Sequence, residues 1–271
     1  MLRGHLRLYS AVAMSGFRRY ATYRVATAAG VFTNTVFGFI IAYTYIALWD
    51  QRPHLGGYDL SQALTFVWLS QALLATLALM GEGFQGELQD RIRSGDIAVD
   101  LYRPVDLQLW WLAGDLGRAM FQLLGRGIAP MVLGSLAFEL TLPGSALTWV
   151  WFLLSVALGV CVGFAVQYLV GLTAFWLLDS TGISMMSSLL CLFFSGMTLP
   201  LSVFPGQLGE VARMLPWAAM LQVPADVFLE EHRGLGLVRA FAFQAVWVVV
   251  LLAAGRALQS VATRKVVVQG G

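Results

Sequence analysis

The sequence predicts an all-α integral membrane protein with six transmembrane helices, an amphipathic N-terminal interfacial helix, and short outer re-entrant helices between spans five and six. Three observations carry that expectation. Of 271 residues, 58% are hydrophobic and 12% charged, about half the charge of a water-soluble domain, and the mean hydropathy is +0.73. The charges stand in clusters, leaving uncharged runs near the roughly 20 residues that cross a hydrocarbon core. The two cysteines, Cys161 and Cys191, lie inside apolar runs, which excludes a secreted disulfide scaffold. The apolar content also excludes a disordered chain.

Residues 1–24 come first. Leu2, Leu6, Tyr9, Val12 and Ala13 share one face at helical spacing, and Arg3, Arg7 and Arg18 point elsewhere. Such a helix lies in a membrane interface; the alternative is a frayed basic tail. The first span is Val25–Trp49, too long for a signal sequence, so no cleavable leader is expected. The second is Leu60–Gly81. The third is Ala119–Phe138, interrupted by Arg126. The uncharged stretch Leu140–Leu178 opens on the turn residues Thr141, Pro143, Gly144 and Ser145, which leaves a fourth span at Leu147–Ala174. A fifth runs from Ile183 to Leu199 and a sixth from Leu235 to Gly255.

Six spans put both termini on one side. With that side cytoplasmic, Arg and Lys divide 12 inside to 4 outside, as the positive-inside bias requires. Trp49, Trp149, Trp151 and Trp217 then fall at the outer boundary and Trp110, Trp111 and Trp176 at the inner one, matching aromatic belts.

Two segments between spans carry the functional information. Residues 82–108 begin EGFQGELQDRIRSGDIAVDLYRPVD, with over a third of that run charged. Gln85–Arg93 reads as a short helix ended by Ser94-Gly95, because glycine suits the left-handed position after a helix. Phe84, Leu88 and Ile92 form its apolar face, and Glu87, Asp90, Arg91 and Asp96 surround it. That suits docking on a soluble partner; a plain solvated connector is the alternative. Residues 199–234 are apolar and punctuated by Pro200, Pro205, Pro216 and Pro224. Proline breaks interior helix, so short helices are expected at Gly206–Met214 and Pro216–Leu229, re-entrant or interfacial.

The run Phe194-Ser195-Gly196 with Pro200, Phe204-Pro205, Leu215-Pro216 and Pro224 resembles the C-terminal half of ABC-2 type transporter permeases. Ile92-Arg93-Ser94-Gly95-Asp96 with Leu101-Tyr102-Arg103-Pro104-Val105-Asp106 resembles the cytoplasmic loop of their bacterial, viologen-exporter-like branch. The resemblance implies one ABC-2 transmembrane domain over residues 1–271 and a bacterial inner-membrane exporter subunit. It implies a second permease, identical or a sister chain, and two copies of a separate ABC ATPase that hold ATP and Mg. It makes Phe84, Glu87, Leu88, Asp90, Arg91, Ile92, Arg93 and Asp96 the ATPase-coupling set. By the same resemblance spans one and five line the exit path, with Asn34, Ser187, Cys191 and Ser195 as substrate contacts.

The residues themselves agree on two points. A P-loop needs a lysine, and the one lysine, Lys265, lies in ATRKV with no such loop. No HExxH, CxxC or Ser/His/Asp cluster marks a catalytic or metal site, and a net charge of +2 gives no reason to expect a nucleic-acid partner. Running into the third span, Asp115, Arg118, Gln122 and Arg126 form a polar helical stripe that should face protein or water. Arg126 is a candidate for signal transfer or the path, with snorkelling to the headgroups as the alternative. Gly159, Gly163, Gln167 and Gly171 recur every fourth residue, a close-packing pattern in which Gln167 is a path candidate. The scarcity of buried charge favours an apolar or amphipathic substrate. A stand-alone secondary transporter or channel is the rival; neither an internal repeat nor an acid near a span centre speaks for it.

Overall fold

The computed structural model describes residues 2–81, 83–177 and 179–265. Met1, Glu82 at the head of the charged segment, Leu178 and residues 266–271 lie outside the described residues. Among the described residues there is no strand. The helices are α1 (Leu2–Ala21), α2 (Arg24–Gln51), α3 (Leu60–Leu73), α4 (Gln85–Ser94), α5 (Ile97–Tyr102), α6 (Leu107–Gln122), α7 (Ile128–Ala137), α8 (Ala146–Leu172), α9 (Thr181–Phe194), α10 (Gly206–Met214), α11 (Gln222–Phe228) and α12 (Leu235–Ala262).

Four helical runs among the described residues are long and apolar enough to cross a membrane: Arg24–Gln51, Leu107–Ala137, Ala146–Phe175 and Leu235–Ala262. They answer to expected spans one, three, four and six. The third starts 12 residues earlier than expected, because Asp106 caps α6 by accepting from the Leu109 amide at 2.8 Å. It is continuous because five residues of π-helix, Leu123–Gly127, join α6 to α7. Expected spans two and five are not continuous helices of full length. The 14 residues of α3 and of α9 each rise about 21 Å, short of a bilayer core.

The short helices follow the local chemistry. A capping box fixes the start of α3: Asp59 accepts from the Gln62 amide and the Gln62 side chain accepts from the Asp59 amide. Gly95, at φ 82°, ends α4 as its sequence predicts. The stretch Pro216–Leu229, expected as one helix, is two pieces: a 3-10 turn at Pro216–Ala219 and then α11.

Helix α1 lies along α6. A Cβ on Gly117 would collide with the Ala13 carbonyl, and one on Gly16 with that of Gly114, so two glycines set how closely the backbones approach. The glycine stripe of α8 receives short segments rather than another long helix. A Cβ on Gly159 would stand 2.6 Å from the Met220 carbonyl, and one on Gly171 2.8 Å from Leu88.

Candidate functional site

Helix α4 and the segment before it sit at the end of the bundle where α1 crosses α6. The apolar face of α4 turns inward. Phe84 stacks on Phe164 with centroids 4.8 Å apart, and its ring also approaches Trp111 at 5.5 Å. Leu88 is fully buried against α8, and Ile92 packs at the edge of the same cluster. Burying these rings and methyls against α8 is worth several kcal/mol at about 25 cal/mol per Å². The face left to solvent is polar: Glu87, Asp90, Arg93, Ser94 and Asp96 are exposed, with Val99 and Tyr102 of α5 beside them.

Ion pairs hold this end together. Arg91 grips Asp100 with two nitrogens, at 2.5 and 3.0 Å. Arg103 reaches the same carboxylate at 3.3 Å and stacks over Trp110 at 5.1 Å. Arg19 of α1 bonds Glu87 at 2.6 Å. Between α1, α4 and α6 these groups line an open cleft of about 480 Å³.

The other candidate residues lie deeper. Asp115 and Arg118 form a buried ion pair at 2.6 Å, 4% and 2% exposed, and Gln122 beside them is buried. The polar stripe therefore faces protein. Arg126 stands in the π-helical turn with its guanidinium against Gly30 of α2, where a Cβ would have to displace it.

Arg118 also donates to the carbonyls of Ala75 at 2.6 Å and Thr76 at 3.1 Å. These belong to the irregular turns that follow α3. Asn34 donates to the Gln71 carbonyl at 3.0 Å and Gln167 to that of Ala78 at 3.2 Å. Two expected path residues, Asn34 and Gln167, thus converge with Arg118 on one stretch of backbone, where irregular chain among apolar helices must be hydrogen-bonded by protein. The α9 candidates do not join them. Cys191 is buried with its Sγ 3.8 Å from the Met220 Sδ. Ser195 is fully buried and its carbonyl accepts from the Gln222 amide at 3.0 Å. Ser187 is half-buried on the flank of α9.

A second polar cluster, at the α10–α11 end, was not among the expected sites. Asp226 accepts from the Tyr58 hydroxyl at 2.6 Å and from Gln222 Nε2 at 2.8 Å, with His232 Nε2 at 3.7 Å. Gln222 Oε1 accepts from the Leu201 amide at 2.8 Å. One cluster therefore ties the chain before α3 to the Pro-rich segment. Burial pushes the Asp226 carboxyl up to about 6, against the pull of Tyr58, His232 and Gln222. The signal in the sequence is a lone acid, Asp226, in the apolar stretch between Glu210 and Glu230.

A comparison with protein-family models matches the chain to the ABC-2 family transporter protein over residues 31–270. No curated protein matches. That match spans every long helix from within α2 to the end of α12, as well as α4 and the Pro-rich segment. The chain belongs to the ABC-2 family of transporter proteins, and is a multi-pass membrane component of transport.

Proposed function

We propose that this chain is the permease subunit of a bacterial ABC exporter, driven by a separate ATPase and working as a pair of permeases on two ATPase copies. In this reading the α4 end is cytoplasmic, as are both termini. ATP and Mg are held by the ATPase, and an apolar or amphipathic substrate moves outward. The viologen-exporter-like loop pattern, Ile92–Asp96 and Leu101–Asp106, supports the branch. Residues 199–234 then lie at the outer face, with the short helices α10 and α11 dipping into it.

The observation that carries the reading is the arrangement of α4. Its apolar face is seated on α8 and its charged face is open. Phe84, Leu88 and Ile92 act as the anchor; Glu87, Asp90, Arg93 and Asp96 are the groups presented to the ATPase, and Arg91 stiffens the turn through Asp100. Force applied to the polar face passes through the anchor into α8. Along the path, Ser187 on α9 and Arg126 in the π-helical turn are half-buried, whereas Asn34, Gln167, Cys191 and Ser195 are buried and make contacts within the protein in this state.

The test is co-purification with a co-expressed ABC ATPase. The wild-type chain should retain the ATPase, and Asp90→Ala/Arg93→Ala should lose it at least tenfold while the permease stays folded. Retention of the ATPase by that variant, or ion-gradient transport by the permease alone, removes the proposal.

A further inference from the structure

The residues after α3 are made to be helical. Leu74, Ala75, Leu77, Ala78, Leu79 and Met80 are strong helix formers, and local preference alone would carry α3 on to Gly81. The chain instead leaves the regular ladder after Leu73. Amide bonds of mixed span replace it: Leu77 to the Leu73 carbonyl, Ala78 to Ala75, Leu79 to Leu74 and Gly81 to Ala78. Ala78, buried, stands at φ 49°, a region that residues with a Cβ avoid. When local preference and fold disagree, something non-local holds the segment.

Here the holders are named. Asn34, Arg118 and Gln167, from α2, α6 and α8, take carbonyls at Gln71, Ala75, Thr76 and Ala78. Arg118 contributes most: two carbonyls, from a guanidinium fixed by Asp115. Ala75 and Thr76 are the carbonyls that would accept from amides one turn on if the helix continued. The guanidinium therefore substitutes for a helical turn.

We propose that residues 74–81 are a two-state element. It is broken while Arg118 holds the Ala75 and Thr76 carbonyls, and wound as a continuation of α3 when Arg118 lets go; Arg118 is its positioning residue. Three residues separate Gly81 from the start of α4. Winding shortens the chain toward 1.5 Å per residue, so the state of the break and the position of α4 are linked. The use of that link in transport rests on the exporter reading; the two-state behaviour does not.

Pulsed EPR on the full-length permease in nanodiscs tests this. Labels go on Gly86→Cys, a site on α4 with open space around it, and Ala26→Cys, exposed on α2, after replacement of Cys161 and Cys191. Removing Arg118 alone would orphan the buried Asp115, so the variant is Asp115→Asn/Arg118→Met. The expected result is a second distance population displaced by roughly 3 Å or more, two residues of helix rise. A distribution identical to wild type overturns the proposal. Ala78→Gly relieves the positive φ without deleting a hydrogen bond and covers the case where the double variant fails to fold. In the ATPase complex trapped with ATP, wild type should show the displaced population and Ala78→Gly should reduce it at least tenfold; equal populations overturn the proposal. Failure to bind any ATPase, with the double variant still displaced, sinks the exporter reading and supports the two-state element.

Discussion

The guanidinium of Arg19 lies 2.6 Å from the carboxylate of Glu87, and it joins the first helix of the chain to the helix that follows the break after α3. Both side chains are largely exposed, so the pair adds little to global stability, at most about 1 kcal/mol. Its effect is on position: α1 is held on α6 by backbone contact, and α4 is held on α8 by Phe84 and Leu88. Reversing one charge, Arg19→Glu, should leave the melting temperature within about 2 °C of wild type and broaden the α1–α4 distance measured by spin labels. The double reversal Arg19→Glu/Glu87→Arg should restore it. A single reversal with an unchanged distance would show that the contact positions nothing.

The α1–α6 crossing makes a sharper prediction. Gly117→Ala drives a methyl into the Ala13 carbonyl, backbone that cannot rotate aside. Overpacking of this kind costs about 1–3 kcal/mol, and here α1 can relieve it by lifting off. Limited trypsin digestion should cut the variant at Arg18 or Arg19 many times faster than wild type, with the long helices intact. Gly114→Ala, which meets open space, is the control and should digest like wild type.

The long helices were legible because their residues obey one rule: an uncharged run between charged fence posts. That rule located α2, α8 and α12 to within a few residues at their starts. It failed at α3, because Leu74–Met80 is as helical in composition as what precedes it, and the groups that hold its carbonyls, Asn34, Arg118 and Gln167, come from three other helices. It also placed the third span too late, since Asp115 and Arg118 look like cytoplasmic charges until they are seen paired and buried. The periodicity of Phe84, Leu88 and Ile92 gave the apolar face of α4 but not its direction. A docking face for a partner and an anchor on the chain's own core have the same spacing, and only tertiary packing tells them apart. Asp226 and Tyr58 are 168 residues apart, and nothing local marks them as partners.

That direction separates two kinds of loss at α4. Phe84→Ala removes a ring from the cluster with Phe164, Trp111 and Tyr168 and should destabilise the permease by about 3–5 kcal/mol. Asp90→Ala removes an exposed group and should change stability by no more than about 0.5 kcal/mol; Arg93→Ala also removes a 2.7 Å bond to the buried Ser180 hydroxyl and should cost about 1–3 kcal/mol. Thermal melts of the three variants, set beside their ATPase retention, give the check. A stable Phe84→Ala protein that has lost the ATPase would turn the helix around, with its rings facing the partner.

The Asp226 cluster predicts a dependence on pH with a definite sign. The group ordinarily titrates near 3.8, and burial raises it to about 6 in the folded chain. The groups facing it are Tyr58 from the chain before α3, Gln222 on its own helix, and Glu231 and His232 just after it. Because the folded state holds this proton more tightly than the unfolded state, its contribution to stability is fully present below about pH 4 and is lost as pH rises through about 6. The shift of about two units bounds the effect at roughly 3 kcal/mol. Asp226→Asn keeps an oxygen that can accept from Tyr58 and Gln222 but carries no charge. It should therefore melt higher than wild type at pH 7.5, and the advantage should shrink to about a third by pH 4.5 and approach zero only below about pH 4. His232→Gln, measured alongside, isolates the histidine's own part in the profile. An Asp226→Asn advantage that stays constant across that range would mean that the carboxylate is held charged, and that the hydrogen bonds from Tyr58 and Gln222 outweigh its burial.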